Sequence, residues 1–284
     1  MMKIGIESAG YIEHYGLREG LRRMKAQGYE TLDYQTLADT ETSLYTCSEA
    51  EYTKKLIEVR NECAAAGIEI SQTHGPWRWP PQDYTEEQRA ERFEKMVKAI
   101  RGTAILGCPY MVIHSIMPFG DDKDPDPERL WSMNYEFMGR LADAGREYGV
   151  IVCHENMPML ALSNSTPEAI LKFVRMLNHP NFKICLDTGH CAVFGLSVGD
   201  AVRMTGKELL RVLHVHDNDG HGDRHWLPYT GVIDWDDFSN ALEEIGFEGS
   251  LSLETHIPNS VPDGAEREAA ENKLFLDAKR LARR

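Results

Sequence analysis

The sequence lacks the cysteine patterns of structural metal sites and the apolar segments of exported or membrane proteins. Its six cysteines show no CxxC spacing, and several lie in apolar runs, which indicates reduced, mostly buried thiols. No stretch has the apolar length of a signal peptide or of a membrane-spanning helix. We therefore expect a cytoplasmic protein that does not associate with a membrane.

Positive charge is also scarce. Lysine and arginine together number 31, against 45 aspartates and glutamates, which gives a formal net charge of −14 at pH 7. No run of lysine or arginine forms a basic patch, and so acidic a surface repels phosphate backbones and anionic membranes. The charge balance thus argues against a nucleic-acid partner.

A third absence concerns the nucleotide-binding turn of open α/β sheets. The stretch IESAGYIEHYG contains no GxGxxG, which argues against an open doubly wound sheet. The sequence does contain short β-branched runs separated by amphipathic stretches, several of which end in glycine. There are eight such runs, at residues 3–7, 29–33, 68–74, 110–114, 150–155, 183–187, 211–216 and 250–254. This alternation predicts an α/β fold, a closed (β/α)8 TIM barrel formed by residues 1–284 as a single domain.

Alternate residues of these predicted strands differ in character. One parity is aliphatic, as at Ile4 and Ile6, and is expected to pack outward against the helices. The other parity repeatedly ends in a side chain of a metal-binding type, at Glu7, His74, His114, Glu155, Asp187, His216 and Glu254. Barrel enzymes carry out their chemistry at the carboxyl ends of the strands, so we expect these side chains to converge on one rim.

The stretch LHVHDNDGHGDRHW, residues 213–226, adds four histidines and three aspartates to this rim. Together with HENMP (154–158), LDTGH (186–190), GVIDW (231–235) and LSLETH (251–256), it resembles the xylose isomerase-like barrel superfamily over nearly the whole chain. That superfamily includes ketose 3-epimerases, related sugar isomerases and endonuclease IV. The resemblance implies an enzyme of carbohydrate metabolism with a small-molecule sugar as substrate, and members of the superfamily often form dimers or tetramers.

The resemblance also implies a divalent ion at the ends of four strands. Carried over to this chain, its ligands are Glu155, Asp187, His216 and Glu254. Three carboxylates and one imidazole favour Mn²⁺, with Mg²⁺, Co²⁺ and Zn²⁺ as alternatives. His216 is preferred to His214 because both have the inward parity and His216 is expected to lie nearer the rim.

Further side chains of the rim are candidates for substrate binding. They are His74, Trp77, His114, His190, Asp223, Arg224 and His225. The endonuclease-like members suggest an additional metal instead, at His74 and His114 or at His190, Asp223 and His225. Trp77 and Trp79, after the third strand, are expected either to stack on a sugar or to pack within their loop. Arg224 either pairs with an acidic or phosphorylated substrate or extends into solvent.

The predicted chemistry is proton transfer next to a carbonyl. A metal chelated by the substrate would act as a Lewis acid that stabilises an enediolate, while Glu155 and Glu254 serve as base and acid. This predicts an isomerase or epimerase of a sugar, keto-sugar or sugar phosphate. Three alternatives remain open: an endonuclease IV-like zinc phosphodiesterase at abasic DNA, a lyase of 3-keto-glycosides, and a non-catalytic sugar-binding barrel.

Overall fold

A computed structural model describes residues 2–77, 80, 81 and 83–283. It contains one sheet of eight parallel strands. The strands are β1 (Lys3–Glu7), β2 (Thr31–Tyr34), β3 (Glu69–His74), β4 (Tyr110–Ile113), β5 (Ile151–Glu155), β6 (Phe182–Asp187), β7 (Leu210–His214) and β8 (Ser250–Leu253). Each predicted run overlaps one of these strands, so the eight-strand prediction is confirmed.

Helices separate the strands. In the described part of the chain they are α1 (Leu17–Gln27), α2 (Ser43–Thr46), α3 (Glu49–Ala66), α4 (Glu86–Leu106), α5 (Pro127–Tyr148), α6 (Pro167–Leu177), α7 (Thr188–Val193), α8 (Val198–Thr205), α9 (Trp235–Ile245) and α10 (Ala265–Leu281). A π-helical turn (Ala9–Glu13) follows β1, and a 3₁₀ turn (Gln35–Leu37) follows β2. The helices α4 and α5 end at Gly107 and Gly149, whose left-handed φ values of 76° and 71° suit glycine. None of the described helices combines the length and apolarity needed to cross a membrane.

The sheet closes into a barrel. Neighbouring strands follow the chain order, and β1 pairs with β8. Backbone hydrogen bonds join β7 to β8 just beyond the end of β7. There the Val215 N–H donates to the Ser252 carbonyl oxygen at 2.9 Å. The Glu254 N–H in turn donates to the Val215 carbonyl oxygen at 3.1 Å. The fold is therefore a nearly closed (β/α)8 barrel, as predicted.

The two parities of the strands face different surroundings. The aliphatic parity, for example Ile4 and Ile6, is fully buried in the main hydrophobic core. A second, smaller cluster belongs to the other parity and consists of Val112, Cys153, Cys185 and Val212. Each of its members lies two residues before a polar residue at a strand end, so this cluster forms an apolar floor beneath the rim.

The end of β7 differs from the prediction. The strand stops at His214, whereas the sequence pattern extends it to residue 216. A register shift between Ile184 and Cys185 in β6 brings Asp187 opposite His214. His214 therefore lies at the rim beside Asp187, and His216 lies beyond the strand.

Candidate active site and metal centre

Four buried side chains from neighbouring strand ends meet at the rim. Their ligand atoms all lie within 4.8 Å of one another, and the residues are Glu155, Asp187, His214 and Glu254. The Nδ1 atom of His214 lies 2.7 Å from Glu155 Oε1 and 3.2 Å from Glu254 Oε2. We call these four residues the rim quartet.

Local structure explains how Asp187 is held in the quartet. It ends β6 and is also the N-cap of α7, because its Oδ1 accepts a hydrogen bond from the His190 N–H at 2.6 Å. Asn156, which follows β5, ties the two strand ends together. Its side-chain amide donates to the Asp187 carbonyl oxygen at 3.0 Å, and its Oδ1 accepts from the Asp187 N–H at 2.8 Å.

The donor set of the rim quartet fits a divalent cation. Three carboxylates in a buried space repel one another, and burial penalises their charged forms. Burial alone would lower the pKa of His214, but Cys185 and the carboxylates of Glu155 and Glu254 raise it well above its ordinary value. For the Glu254 carboxylate, burial has the opposite effect and raises the pKa to about 7, although the neighbouring His214 lowers it. A divalent ion would satisfy all three carboxylates at once, and oxygen-rich sets with an imidazole suit such ions.

The structure brings His214, rather than the predicted His216, to the three carboxylates. The Nε2 atom of His216 lies 3.0 Å from Asp187 Oδ2, and its ring stacks on His225 with the centroids 4.2 Å apart. A Cβ atom at Gly189 would overlap the His216 ring, so glycine at that position permits the close approach. The strand β7 ends two residues earlier than the sequence pattern indicates, which places His214 opposite Asp187.

A second group of ligand atoms joins the quartet through Glu155. The Nε2 atoms of His74 and His114 lie 3.0 Å apart, and that of His114 lies 2.8 Å from Glu155 Oε2. Burial lowers the pKa of His114 to about 4, in spite of the neighbouring Glu155 carboxylate. Trp77 contacts His114 edge-to-face, with the ring centroids 4.2 Å apart. The predicted residues His74, Trp77 and His114 therefore lie together beside Glu155.

A third group surrounds Asp223. Its Oδ2 lies 3.3 Å from His190 Nε2 and 3.2 Å from His225 Nε2. Burial would lower the pKa of His190, but Asp187 and Asp223 outweigh it and raise the pKa to about 10. The same competition between burial and Asp223 raises the pKa of His225 to about 11. His225 has a φ of 49°, a left-handed conformation that is uncommon outside glycine and recurs at functional sites.

Each of the three groups contributes residues to the lining of one cavity of about 460 Å³, and the rim quartet contributes Glu155 and Glu254. Its walls are formed by Gln35, Ala38, His74, Trp77, His114, Glu155, Met157, Pro158, Met159, His190, Asp223, His225 and Glu254. Arg224 is not brought to this cavity, because its Nε donates to Asp219 Oδ2 at 3.1 Å and its side chain is 49% exposed. Trp79 lies outside the described residues.

Two further residues of the site come from the end of β2 and were not predicted from the sequence. Asp33 Oδ2 lies 3.2 Å from His214 Nε2, and the Gln35 side-chain amide donates to Glu254 Oε1 at 2.8 Å. A signal for Asp33 was present, since it ends the second predicted run as Glu155 ends the fifth. Gln35 gave no such signal, because it follows the strand in a turn.

A family model described as xylose isomerase-like TIM barrel matches residues 21–279. The chain belongs to this family. A D-psicose 3-epimerase of Ruminiclostridium cellulolyticum is 30% identical to this xylose isomerase-like barrel over a match that covers 51% of this chain and 48% of the relative. A ketose 3-epimerase of Arthrobacter globiformis is 23% identical, over 99% of this chain and 93% of the relative.

Solved structures share the same fold. The 3-keto-D-glucoside 4-epimerase YcjR from E. coli superposes on this xylose isomerase-like barrel with a TM-score of 0.77 at 16% identity, covering 99% of this chain and 100% of that one. The IOLI protein with a bound zinc atom gives a TM-score of 0.77 at 20% identity, covering 99% and 96%. At these identities the likeness shows the fold alone.

Proposed function

We propose that this protein is a divalent-metal-dependent isomerase or epimerase of sugars or keto-sugars. The observation that carries the proposal is the rim quartet, in which Glu155 and Glu254 approach the same cavity from β5 and β8. Two carboxylates on different strands can face a bound sugar from two directions, as proton removal and return require. Relatives named as ketose epimerases support the reaction class.

The proposed ligands of the metal are the four residues of the rim quartet. The ion would supply a Lewis acid next to the substrate carbonyl. Three oxygen donors and one imidazole favour Mn²⁺, and the zinc atom of the IOLI protein makes Zn²⁺ the second choice. His214 replaces His216 in this proposal, because only His214 groups with all three carboxylates.

The remaining residues of the cavity are assigned to substrate positioning. Glu155 and Glu254 are proposed as the base and the acid that move a proton at a carbon next to the carbonyl. The Nδ1 atom of His74 lies 2.7 Å from the Gly75 carbonyl oxygen, and that of His190 lies 2.7 Å from the Asn156 carbonyl oxygen. Each ring thereby directs its Nε2 toward the rim, where it can form hydrogen bonds with sugar hydroxyls.

Deuterium exchange tests the proposal. The protein is incubated with D-fructose or D-psicose in D₂O with Mn²⁺ or Zn²⁺, and loss of the proton next to the carbonyl is followed by NMR. We expect exchange that depends on the ion and falls by at least about 100-fold in Glu155→Gln and in Glu254→Gln. The exposed carboxylate variant Glu147→Gln serves as control and should exchange like the wild type.

Product analysis of these reactions, and of a parallel reaction with a 3-keto-glucoside, separates the possible outcomes. Inversion yields an epimer, transfer to the neighbouring carbon yields an aldose, and elimination from a 3-keto-glycoside yields the free aglycone. Absence of exchange with both ketoses and with a 3-keto-glucoside, under either ion, would contradict the proposal.

A second candidate function is a zinc phosphodiesterase. It is favoured by the two further groups of ligand atoms, one at His74 and His114 and one centred on Asp223. This candidate predicts three zinc ions per chain and incision of a duplex that contains an abasic site. The net charge of −14 opposes it, because the duplex is itself strongly anionic. An absence of incision by zinc-loaded protein would eliminate it.

A further inference from the structure

The candidate cavity has two sides of opposite character. One side carries the carboxylates and imidazoles described above. The other side is apolar, and we call it the apolar wall; its residues are Ala38, Trp77, Met157, Pro158 and Met159. Among the residues that the structure describes, no lysine or arginine lines this cavity.

The apolar wall is built on a packed core of its own. Met157 and Met159 pack with Met117 and Leu162 in a hydrophobic cluster separate from the main core, and Trp77 packs against this cluster. Met157 is 3% exposed and Met159 is 9% exposed, so both side chains are held by their neighbours. The wall is therefore a formed surface and not a set of loose loop residues.

Backbone hydrogen bonds hold the loops that form the wall. The Met157 N–H donates to the Ser165 carbonyl oxygen at 2.8 Å, which closes the loop after β5 on itself. The Trp77 N–H donates to the Ala38 carbonyl oxygen at 2.9 Å, which joins the loops after β2 and β3. Residues from three loops thus reach the cavity in fixed positions.

The wall begins directly beside the proposed reaction centre. Met157 follows Glu155 by two residues, and Trp77 contacts His114, whose Nε2 lies 2.8 Å from Glu155 Oε2. A substrate whose reacting carbons lie at Glu155 and Glu254 can therefore extend over the wall. Sugar hydroxyls buried against it would lose their hydrogen bonds with water, which is unfavourable.

We propose that the substrate is a keto-sugar that carries an apolar group, an aryl or long alkyl substituent, which lies on the apolar wall. This inference rests on the proposed function, since it assumes that the sugar is held at the rim quartet. The apolar group lies on Met157, Met159 and Trp77, where it contacts thioether sulfurs and an indole ring. Such surfaces bind aromatic rings well because sulfur is polarizable and methionine adapts its shape.

Binding of two matched probes tests the inference. Methyl and phenyl 3-keto-β-D-glucosides are titrated into the metal-loaded protein by calorimetry, so that the probes differ only in the apolar group. We expect the phenyl glycoside to bind at least about tenfold more tightly, as burial of a ring face predicts. Equal affinity of the wild-type protein for the two probes, or no binding of either probe, would overturn the inference.

Isosteric variants locate the effect. In Met157→Gln/Met159→Gln the preference for the phenyl glycoside should fall to within about twofold, while the affinity for the methyl glycoside changes little. Met176→Gln, at a methionine that is 46% exposed on α6, is the control and should keep the preference. Met157→Leu/Met159→Leu should retain it, which separates loss of an apolar surface from loss of folding. If the Met157→Gln/Met159→Gln variant still prefers the phenyl glycoside, the apolar wall is not the surface that binds the apolar group.

Proton exchange in D₂O, measured on the same probes, separates the two proposals. Preference for the phenyl glycoside without exchange would refute the proposed reaction and support the apolar subsite. Exchange with equal affinity for both probes would support the reaction and refute the subsite.

Discussion

The Nε2 atom of His214 lies 3.2 Å from Oδ2 of Asp33, while the other ring nitrogen faces Glu155 and Glu254. Both residues are fully buried. The Gln72 side-chain amide donates to the same Asp33 oxygen at 3.2 Å and so fixes the carboxylate. If His214 binds an ion through Nδ1, as proposed, the Asp33 carboxylate behind the ring would favour the required orientation and tautomer.

Replacing Asp33 is expected to weaken divalent-ion binding. Asp33→Asn keeps the size of the side chain but removes the charge that orients His214, so the affinity for Mn²⁺ should fall by about 10- to 100-fold. Titration calorimetry measures the affinity, and the Mn²⁺ EPR spectrum reports the altered coordination. Asp122→Asn, at an exposed aspartate, should bind as the wild type does. An Asp33→Asn variant with unchanged affinity and spectrum would refute this positioning role.

The two histidines of the HVH stretch are expected to differ in importance. His214→Gln removes a proposed ligand whose Nδ1 lies beside Glu155 and Glu254, so Mn²⁺ affinity should fall by more than about 100-fold. His216→Gln removes contacts with Asp187, Asp223 and His225, and the affinity should fall by less than about tenfold. His221→Gln, at an exposed histidine of the same stretch, controls for imidazole content. If His216→Gln instead lowers the Mn²⁺ affinity more than His214→Gln does, the ligand is His216, as predicted from the sequence.

Binding of the ion is expected to stabilise the fold. Since the rim quartet joins β5, β6, β7 and β8, an ion bound there stabilises the folded state by about 2.7 kcal/mol at 100 times its Kd. For a chain of this size, that corresponds to a rise in Tm of roughly 4 to 5 °C. Differential scanning calorimetry with and without EDTA checks the value. A triple variant, Glu155→Gln/Asp187→Asn/Glu254→Gln, should show no response to the ion; a response as large as that of the wild type would place the ion elsewhere.

One cysteine is expected to react in the native protein. All six cysteines are free thiols, and only Cys47 is not buried. Burial raises the pKa of Cys63 to about 12, so its thiol remains neutral, and therefore unreactive, at pH 8. A DTNB assay should titrate one thiol per native chain at pH 8 and six after denaturation. Cys47→Ser should abolish the native reaction; rapid reaction of several thiols would contradict the burial of the others.

Much of the candidate site follows from local pattern. Glu155, Asp187 and Glu254 each end a run of alternating apolar residues, and in a parallel barrel all such ends point to the same rim. The same reasoning applies to His74 and His114, which the structure also brings to the cavity. These predictions required only the period of a strand and the direction of the chain.

The tertiary structure decided the features that depend on register and on contacts across the barrel. His214 lies in the quartet because β7 pairs with β6 after a register shift, and no local pattern reveals where such a shift occurs. Gln35 reaches Glu254 because β1 pairs with both β2 and β8 and so brings the carboxyl ends of these two strands close together. The apolar wall likewise combines loops that are far apart in the chain. Periodicity sets which way a side chain faces, whereas non-local packing determines which partner it meets.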